Sequence, residues 1–263
     1  ITKWAADEIR ARGVASLNAD ILYGLPNQST ARITESVQKL LSLNPDRVAL
    51  YGYAHVPWMA KRQQLLPSDA LPTPEERLDL FETARRLFLW DNYAEIGIDH
   101  FATQDDGLTI ALKAGRLRRN FQGYTDDTAD VLIGVGASSI SKFPQGFAQN
   151  APATGAHTGA IREGRFSIAR GHAFSDEDRL RSRMIEQLMC EFRIDAAEMS
   201  DSFGVSPQRV RKMLEAGAAS FNGLVKVDDS GLHVPPEARS LTRMIARTFD
   251  AYELSKAGHS SAI

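Results

Sequence analysis

Two arginines, an aromatic residue and an amide precede a glycine in the segment Arg118-Arg119-Asn120-Phe121-Gln122-Gly123-Tyr124-Thr125. Arginine pairs with a carboxylate through two parallel hydrogen bonds, and glycine lets the backbone approach a ligand closely. Lys113 and Arg116 extend this local basic run in a chain whose net charge is −2. Such a run is usually a solvated surface. Two interpretations therefore stay open, a solvated face or a site in which Arg118 and Arg119 bind an anionic ligand.

A glycine-rich stretch follows, Gly134-Val135-Gly136-Ala137-Ser138-Ser139-Ile140-Ser141. It is not a dinucleotide-binding fingerprint, because the third glycine and the following helical pattern are missing. The stretch predicts a tight turn at the end of a sheet. A close approach of its backbone to an adenosine-like ligand is the functional alternative.

Polar residues recur where predicted strands stop, at Asp20, His55, the pair Asp99-His100 and Gln122. Ligands of parallel sheets and barrels collect at the carboxyl ends of the strands. Asp20 therefore either caps the following turn or presents its carboxylate to a ligand hydroxyl or amine. The two histidines lack the spacing of metal ligands, so we expect them to line a pocket rather than to bind a metal ion.

Cys190 is the one cysteine of the chain and lies between Leu188 and Phe192 in a predicted helix. A buried free thiol is the expected state of such a residue, and one thiol cannot hold an iron–sulfur cluster. We therefore predict no metal site in this chain, and the low cysteine content fits a cytoplasmic location. No apolar run is long enough for a membrane span, and the small net charge does not favour nucleic acid.

The first half of the chain alternates strands and helices. Residues 17–23 predict a strand, a helix begins at Ser29, and residues 48–56 predict the next strand, which together make a βαβ unit with parallel pairing. Thr73 begins a second helix. A further strand is predicted for residues 95–101, and extended segments for residues 121–125 and 131–135. This order indicates an α/β fold.

Composition divides the chain into residues 1–150, a connecting segment 151–174 rich in glycine, alanine and polar residues, and a mostly helical part 175–263. In the last part, helices are followed by a hairpin around residues 224–234 and by a helix over 238–254. This is a winged-helix pattern, whose candidate recognition helix carries Arg209, Arg211 and Lys212. DNA binding is one alternative for this module, and a lid or packing role is the other.

Three motifs carry a resemblance to a known family. They are Asp20-Ile21-Leu22-Tyr23-Gly24-Leu25-Pro26, Gly97-Ile98-Asp99-His100-Phe101-Ala102 and the Asn120–Thr125 segment. The chain resembles the oxygen-independent coproporphyrinogen III oxidases, which are radical S-adenosylmethionine (SAM) enzymes of haem synthesis. The first motif is shared with haem-binding, haem-chaperone-like paralogues. The other two look like the oxidases, so the paralogue is the runner-up interpretation.

The resemblance implies the C-terminal portion of a partial (βα) TIM-like barrel, followed by the small winged-helix-like domain. It also implies two SAM molecules and a [4Fe-4S] cluster. Asp20 and Ala54 would contact the second SAM, Ile140 the SAM on the cluster, and Phe121 and Gln122 would lie close to both. The substrate would be coproporphyrinogen III, decarboxylated to protoporphyrinogen IX with an unidentified electron donor and acceptor.

The family's cluster motif of three cysteines, its glycine-rich SAM segment and its early barrel strands have no counterpart in this chain. We therefore interpret the chain as the C-terminal part of a longer enzyme. Alone, it is expected to bind no cluster and to turn over no substrate.

Overall fold

The computed structural model describes residues 1–58, 60–221 and 223–252. The helices are α1 (Thr2–Ala11), α2 (Thr30–Leu41), α3 (Pro74–Trp90), α4 (Gly107–Lys113), α5 (Thr154–Arg162), α6 (Asp176–Glu191), α7 (Ala196–Phe203), α8 (Pro207–Ala218) and α9 (Thr242–Arg247). The strands are β1 (Asn18–Tyr23), β2 (Arg47–Gly52), β3 (Ala94–Ile96), β4 (His100–Ala102), β5 (Arg118–Asn120), β6 (Gly123–Thr125), β7 (Ile140–Phe143), β8 (Gly146–Asn150), β9 (Ile168–Ala173), β10 (Arg193–Asp195), β11 (Lys226–Asp228) and β12 (Gly231–His233).

The first sheet has the strand order β1-β2-β4-β3. β1 and β2 are parallel and are joined through α2, so the predicted βαβ unit is confirmed. Helices α2 and α3 cover one face of this sheet. Their apolar side chains, such as Ile33 and Phe88, form one core with Val48, Leu50 and Phe101 of the strands. Because strand side chains alternate between faces, every second side chain of these strands points to the face of the sheet that α2 and α3 do not cover.

The start of α3 follows from its sequence. The Thr73 hydroxyl accepts a hydrogen bond from the Glu76 amide, and the Glu76 carboxylate accepts one from the Thr73 amide. Pro74 occupies the first turn, where its missing N–H costs nothing. This reciprocal capping satisfies two amides that the helix leaves free. The helix start predicted at Thr73 is confirmed.

The single strand predicted for residues 95–101 is wrong. The chain turns at Gly97, whose φ is +55°, and forms two short antiparallel strands, β3 and β4. β4 also pairs antiparallel with β2, so the sheet is mixed rather than wholly parallel. The turn is held from outside, because the Ile98 amide donates a 3.0 Å hydrogen bond to the Tyr124 hydroxyl.

Gly97→Ala is expected to lower the free energy of unfolding by about 3 kcal/mol or more. An alanine Cβ at this position would overlap the Tyr124 phenol and the Met189 carbonyl, and the backbone would keep a left-handed φ. Gly115→Ala is the matched control, since Gly115 has φ +64° but nothing within 4 Å of its Cβ position. Denaturant unfolding of both variants measures the difference. Equal losses would show that the space beside Gly97 does not limit the fold.

The C-terminal part is a winged-helix-like module. After α6, the strand β10 pairs with β12, and β12 pairs with β11 to form the predicted hairpin. Met184, Leu188 and Ile245 lie in its apolar core. The helix predicted over 238–254 instead comprises a 3₁₀ segment (Pro236–Leu241) and α9. Residues 253 and 254 lie outside the described part of the chain.

Residues 151–174 are not the irregular connection that their composition predicts. They contain α5 and β9, and β9 pairs with β8 to complete a sheet of order β7-β8-β9. Backbone hydrogen bonds make this pairing, so glycine, alanine and polar side chains do not prevent it. In the extended segment predicted at 131–135, only Leu132 has a bridge partner, Lys142. The division of the chain at residues 150 and 174 stays a prediction.

Candidate functional site

The face of the first sheet that α2 and α3 leave uncovered carries Asp20. Along β1, burial alternates, so that Ile21 and Tyr23 pack on the helices while Asn18, Asp20 and Leu22 are exposed. The Asp20 carboxylate accepts a 2.8 Å hydrogen bond from the Asn18 amide. Asp20 lies in the middle of β1 rather than at its end, because the apolar alternation continues to Tyr23. The strand-end argument for Asp20 is therefore wrong, although the carboxylate is accessible.

Across the sheet, Asp20 lies in register with Ala49 of β2 and His100 of β4. Two strand spacings separate the backbones of Asp20 and His100, roughly 10 Å. The His100 ring lies edge-on to Tyr51 at 5.8 Å and to Tyr124 at 5.0 Å between ring centroids.

Asp99 links His100 to the C-terminal module. One carboxylate oxygen lies 2.7 Å from the His100 Nδ1, and the other accepts a 2.9 Å hydrogen bond from Arg243 at the start of α9. A second pair across the same boundary joins Arg239 to Glu95 at 3.0 Å. The sequence pointed to the Asp99-His100 pair, but nothing in it signalled Arg243, which lies 144 residues away.

Four charged groups surround the Tyr51 phenol. Burial raises the pKa of the Tyr51 phenol. The negative charges of Asp20 and Asp99 raise the pKa of this phenol further, whereas the positive charges of Arg119 and Arg243 lower it. Asp20 and Arg119, two residues predicted from the sequence to bind ligands, therefore act on the same phenol. The pairing of opposite charges around one accessible face suits a ligand that is itself both polar and charged.

The β5–β6 hairpin covers this face next to His100. Arg119 pairs in register with Tyr124, and its guanidinium lies 5.5 Å from the centre of the Tyr124 ring. Consecutive strand residues point to opposite faces, so Arg119 lies on the side of Tyr124 and His100 whereas Arg118 lies on the other. In the described residues, the Arg118 Nη1 and the Arg119 Nε are buried without a hydrogen-bond partner.

Phe121 and Gln122 form the turn of the same hairpin. The Gln122 amide donates a 2.8 Å hydrogen bond to the Asn120 side chain, which shapes the turn and leaves the Gln122 side chain exposed. The Phe121 ring is 53% exposed and lies edge-on to Phe147 of β8 at 4.9 Å. An exposed aromatic ring beside an exposed amide is suited to stacking on, and hydrogen bonding to, a flat ligand.

Ile140 begins β7, and Gly134 packs against it. A Cβ on Gly134 would lie 2.8 Å from the Ile140 carbonyl oxygen, so this position requires glycine. Asn150 closes the turn by donating to the Gly136 carbonyl at 3.0 Å. The predicted tight turn is present.

Ala54 follows β2 and lines a cavity of about 180 Å³, whose wall does not include Asp20, Phe121, Gln122 or Ile140. The structure thus places Asp20 and Arg119 around Tyr51, and Phe121 and Gln122 on the hairpin beside them. Ala54 lies in the adjoining cavity, whose wall also includes Tyr51. The ligand contacts assigned to all these residues stay predictions.

The chain does not fit an iron–sulfur cluster. Burial raises the pKa of the Cys190 thiol to about 12, with a smaller contribution from Glu186. Within residues 1–58, 60–221 and 223–252, no three or more His, Cys, Asp or Glu side chains are grouped as metal ligands would be. The open face and its hairpin carry chemistry that SAM binding would use, because the exposed Asp20 carboxylate can accept hydrogen bonds from hydroxyls and the exposed Phe121 ring can stack on a flat ring.

The third helix of the C-terminal part, α8, carries the basic residues considered for DNA binding. Arg209 pairs with Glu177 at 2.5 Å, and Arg211 pairs with both Glu215 and Asp229. These contacts reduce the free positive charge that phosphate binding would use. In the described part of the chain, no helix is long and apolar enough to span a membrane.

Comparisons with known proteins agree with this architecture. Residues 174–241 match the family described as the HemN C-terminal domain. An oxygen-independent coproporphyrinogen III oxidase of Paracoccus denitrificans is 66% identical over 100% of this chain and 58% of its own length. One of Cereibacter sphaeroides is 57% identical over 97% of this chain and 57% of its own length. The chain thus spans less than two thirds of these relatives.

A solved structure, the coproporphyrinogen III oxidase (HemN) of Escherichia coli, is described as a radical SAM enzyme. It aligns with a TM-score of 0.88 and 32% identity over 96% of this chain and 58% of its own length. The α/β fold class predicted from the sequence, with a helical C-terminal domain after part of a barrel, is confirmed.

Proposed function

From the confirmed resemblance of this chain to the oxygen-independent coproporphyrinogen III oxidases, we propose that it is the C-terminal, SAM- and substrate-binding part of such an enzyme. The enzyme decarboxylates coproporphyrinogen III to protoporphyrinogen IX in the cytoplasm. The observation that carries this proposal is the open sheet face. It presents the Asp20 carboxylate, and the Phe121–Gln122 turn lies on the hairpin that covers the face beside it.

In this proposal, Asp20 and Ala54 hold one SAM, and Ile140 contacts another. The cofactor supplies a 5′-deoxyadenosyl radical as the hydrogen-abstracting species. Phe121 and Gln122 hold the reacting groups in position, and the β5–β6 hairpin excludes water from that side of the sheet. Cluster binding belongs to the part of the longer relatives that this chain does not match.

The reaction removes one hydrogen atom from the β-carbon of a substrate propionate. The resulting carbon radical gives one electron to an acceptor that is not identified, and CO₂ leaves to form a vinyl group. Two propionates react in this way, and the other two must be held. Arg119 is suited to holding one, since its planar guanidinium pairs with carboxylates and lies on the side of β5 that faces Tyr124.

In the full-length enzyme, Arg119→Gln is expected to raise KM for coproporphyrinogen III by roughly tenfold, because a hydrogen bond to a charged group is lost. Arg118→Gln is expected to change KM less, since Arg118 lies on the opposite face of β5. SAM affinity should stay unchanged in both variants. Steady-state kinetics at saturating SAM tests this. Unchanged KM in both variants would mean that the propionates are held elsewhere.

A chimera tests the proposed function. The chain would replace the matching 58% of the Paracoccus denitrificans relative, and anaerobic turnover would be followed by product analysis. We expect protoporphyrinogen IX. A folded chimera that binds haem tightly and forms no product would favour the haem-chaperone-like paralogue instead.

A further inference from the structure

The cavity beside Ala54 has features that the proposed SAM contact does not explain. It lies at the carboxyl ends of β1 and β2, and it is closed by α3 on one side and by the segment before α9 on the other. Its volume is about 180 Å³. Arg77, Tyr53, Asp99, Ser240 and Arg243 contribute its polar wall.

Arg77 is held firmly in this wall. Its Nη1 donates a 3.0 Å hydrogen bond to the Tyr53 carbonyl, and its guanidinium lies 5.7 Å from the centre of the Tyr23 ring. A Cβ on Gly24 or Gly52 would come within 2.7 or 2.9 Å of this guanidinium. Glycine at both strand ends therefore leaves the space that the guanidinium occupies.

The charge of Arg77 is not compensated. Its Nε is buried without a hydrogen-bond partner, and no carboxylate in the described part of the chain forms an ion pair with it. Asp99 is the acidic residue of the cavity wall, and its two oxygens already serve His100 and Arg243. The Arg77 guanidinium therefore brings a positive charge into the cavity wall, where an anionic ligand can pair with it.

The volume limits what that ligand can be. At about 30 Å³ for each water molecule, the cavity holds roughly six waters or one carboxylate on a short carbon chain. A tetrapyrrole ring is too large, but a side arm of it is not. Tyr23, Leu50 and Phe81 supply apolar wall for the methylene groups of such an arm.

We propose that this cavity binds a carboxylate of propionate size, with the Arg77 guanidinium as the donor group in its wall. The chemistry allows two sources, a propionate arm of the porphyrinogen or the amino-acid carboxylate of SAM. The identity of the source rests on the proposed function, whereas carboxylate binding itself does not.

Titration of the full-length chimera with ¹³C-labelled propionate, without SAM or porphyrinogen and at constant ionic strength, tests the proposal by NMR. Saturable binding is expected, weakened roughly tenfold or more in Arg77→Gln through loss of the charged hydrogen bonds. Arg86→Gln is the matched control, because Arg86 is exposed on the same helix. Ser240→Leu should fill the cavity and also abolish propionate binding. This second variant tests the proposal if Arg77→Gln does not fold.

A parallel titration with methionine distinguishes the two sources. Propionate binding tighter than methionine identifies the porphyrinogen arm, and the reverse order identifies SAM. The proposal is overturned if the folded chimera binds neither probe, or if Arg77→Gln and Ser240→Leu both bind as the parent does. A chimera that forms product but binds neither probe would contradict the carboxylate site and support the proposed function. A chimera that binds a probe but forms no product would contradict the proposed function and support the carboxylate site.

Discussion

Asp20→Ala in the full-length enzyme is expected to lower SAM-dependent turnover by roughly tenfold or more, with little change in thermal stability. The Asp20 side chain is exposed on the open sheet face, where its carboxylate accepts a hydrogen bond from the side-chain amide of Asn18. Its removal therefore leaves no cavity in the core, whereas a lost hydrogen bond between a carboxylate and a ligand costs about 1.5–3 kcal/mol. Turnover at saturating and limiting SAM, beside a melting curve, measures both effects.

Gln122→Ala should behave in the same way, because the Gln122 side chain is exposed and the hairpin turn depends on its backbone amide. Asp105→Ala is a suitable control, since this acidic residue is exposed and lies outside the proposed site. Activity near that of the parent in both Asp20→Ala and Gln122→Ala, at either SAM concentration, would remove these residues from the site.

The isolated chain is expected to bind no iron–sulfur cluster after anaerobic reconstitution. Clusters of this kind are held by several thiolates, and the buried Cys190 thiol resists ionisation because burial raises its pKa. Iron and sulfide analysis with the visible spectrum measures the outcome. Cys190→Ser in the chimera is the control and should leave the cluster content unchanged. A stoichiometric cluster in the isolated chain, absorbing near roughly 400 nm, would contradict the assignment.

Helix starts and the first strand could be predicted from the sequence, because neighbouring residues determine them. The Ser29 and Thr73 side chains both accept the amide hydrogen bonds of helix caps, and these two helices begin where predicted. The strand β1 was predicted within one residue, because its apolar alternation and the following glycine are both local.

Features set by distant residues could not be predicted. The turn at Gly97 depends on Tyr124 and Met189, which have no sequence relation to it. Backbone hydrogen bonds make the pairing of β9 with β8, so the side-chain composition of this segment did not predict it.

For the candidate site, the motifs pointed to Asp20, Phe121 and Gln122, whose side chains are exposed on the open face and on the hairpin beside it, but the argument from strand ends was wrong for Asp20. The sequence also could not show that Arg118 and Arg119 lie on opposite faces, because β5 is only three residues long. The contact of Arg243 with Asp99 joins two parts of the chain across 144 residues, and only the fold brings them together.

The most direct test of the proposed function follows the hydrogen atom. The chimera would be given coproporphyrinogen III deuterated at the β-carbons of its propionates, together with SAM and a low-potential reductant under anaerobic conditions. Mass spectrometry would then measure the 5′-deoxyadenosine formed. We expect 5′-deoxyadenosine that carries deuterium from the substrate, formed together with protoporphyrinogen IX. Undeuterated 5′-deoxyadenosine, or none from a chimera that has its cluster and is folded, would contradict the proposed function.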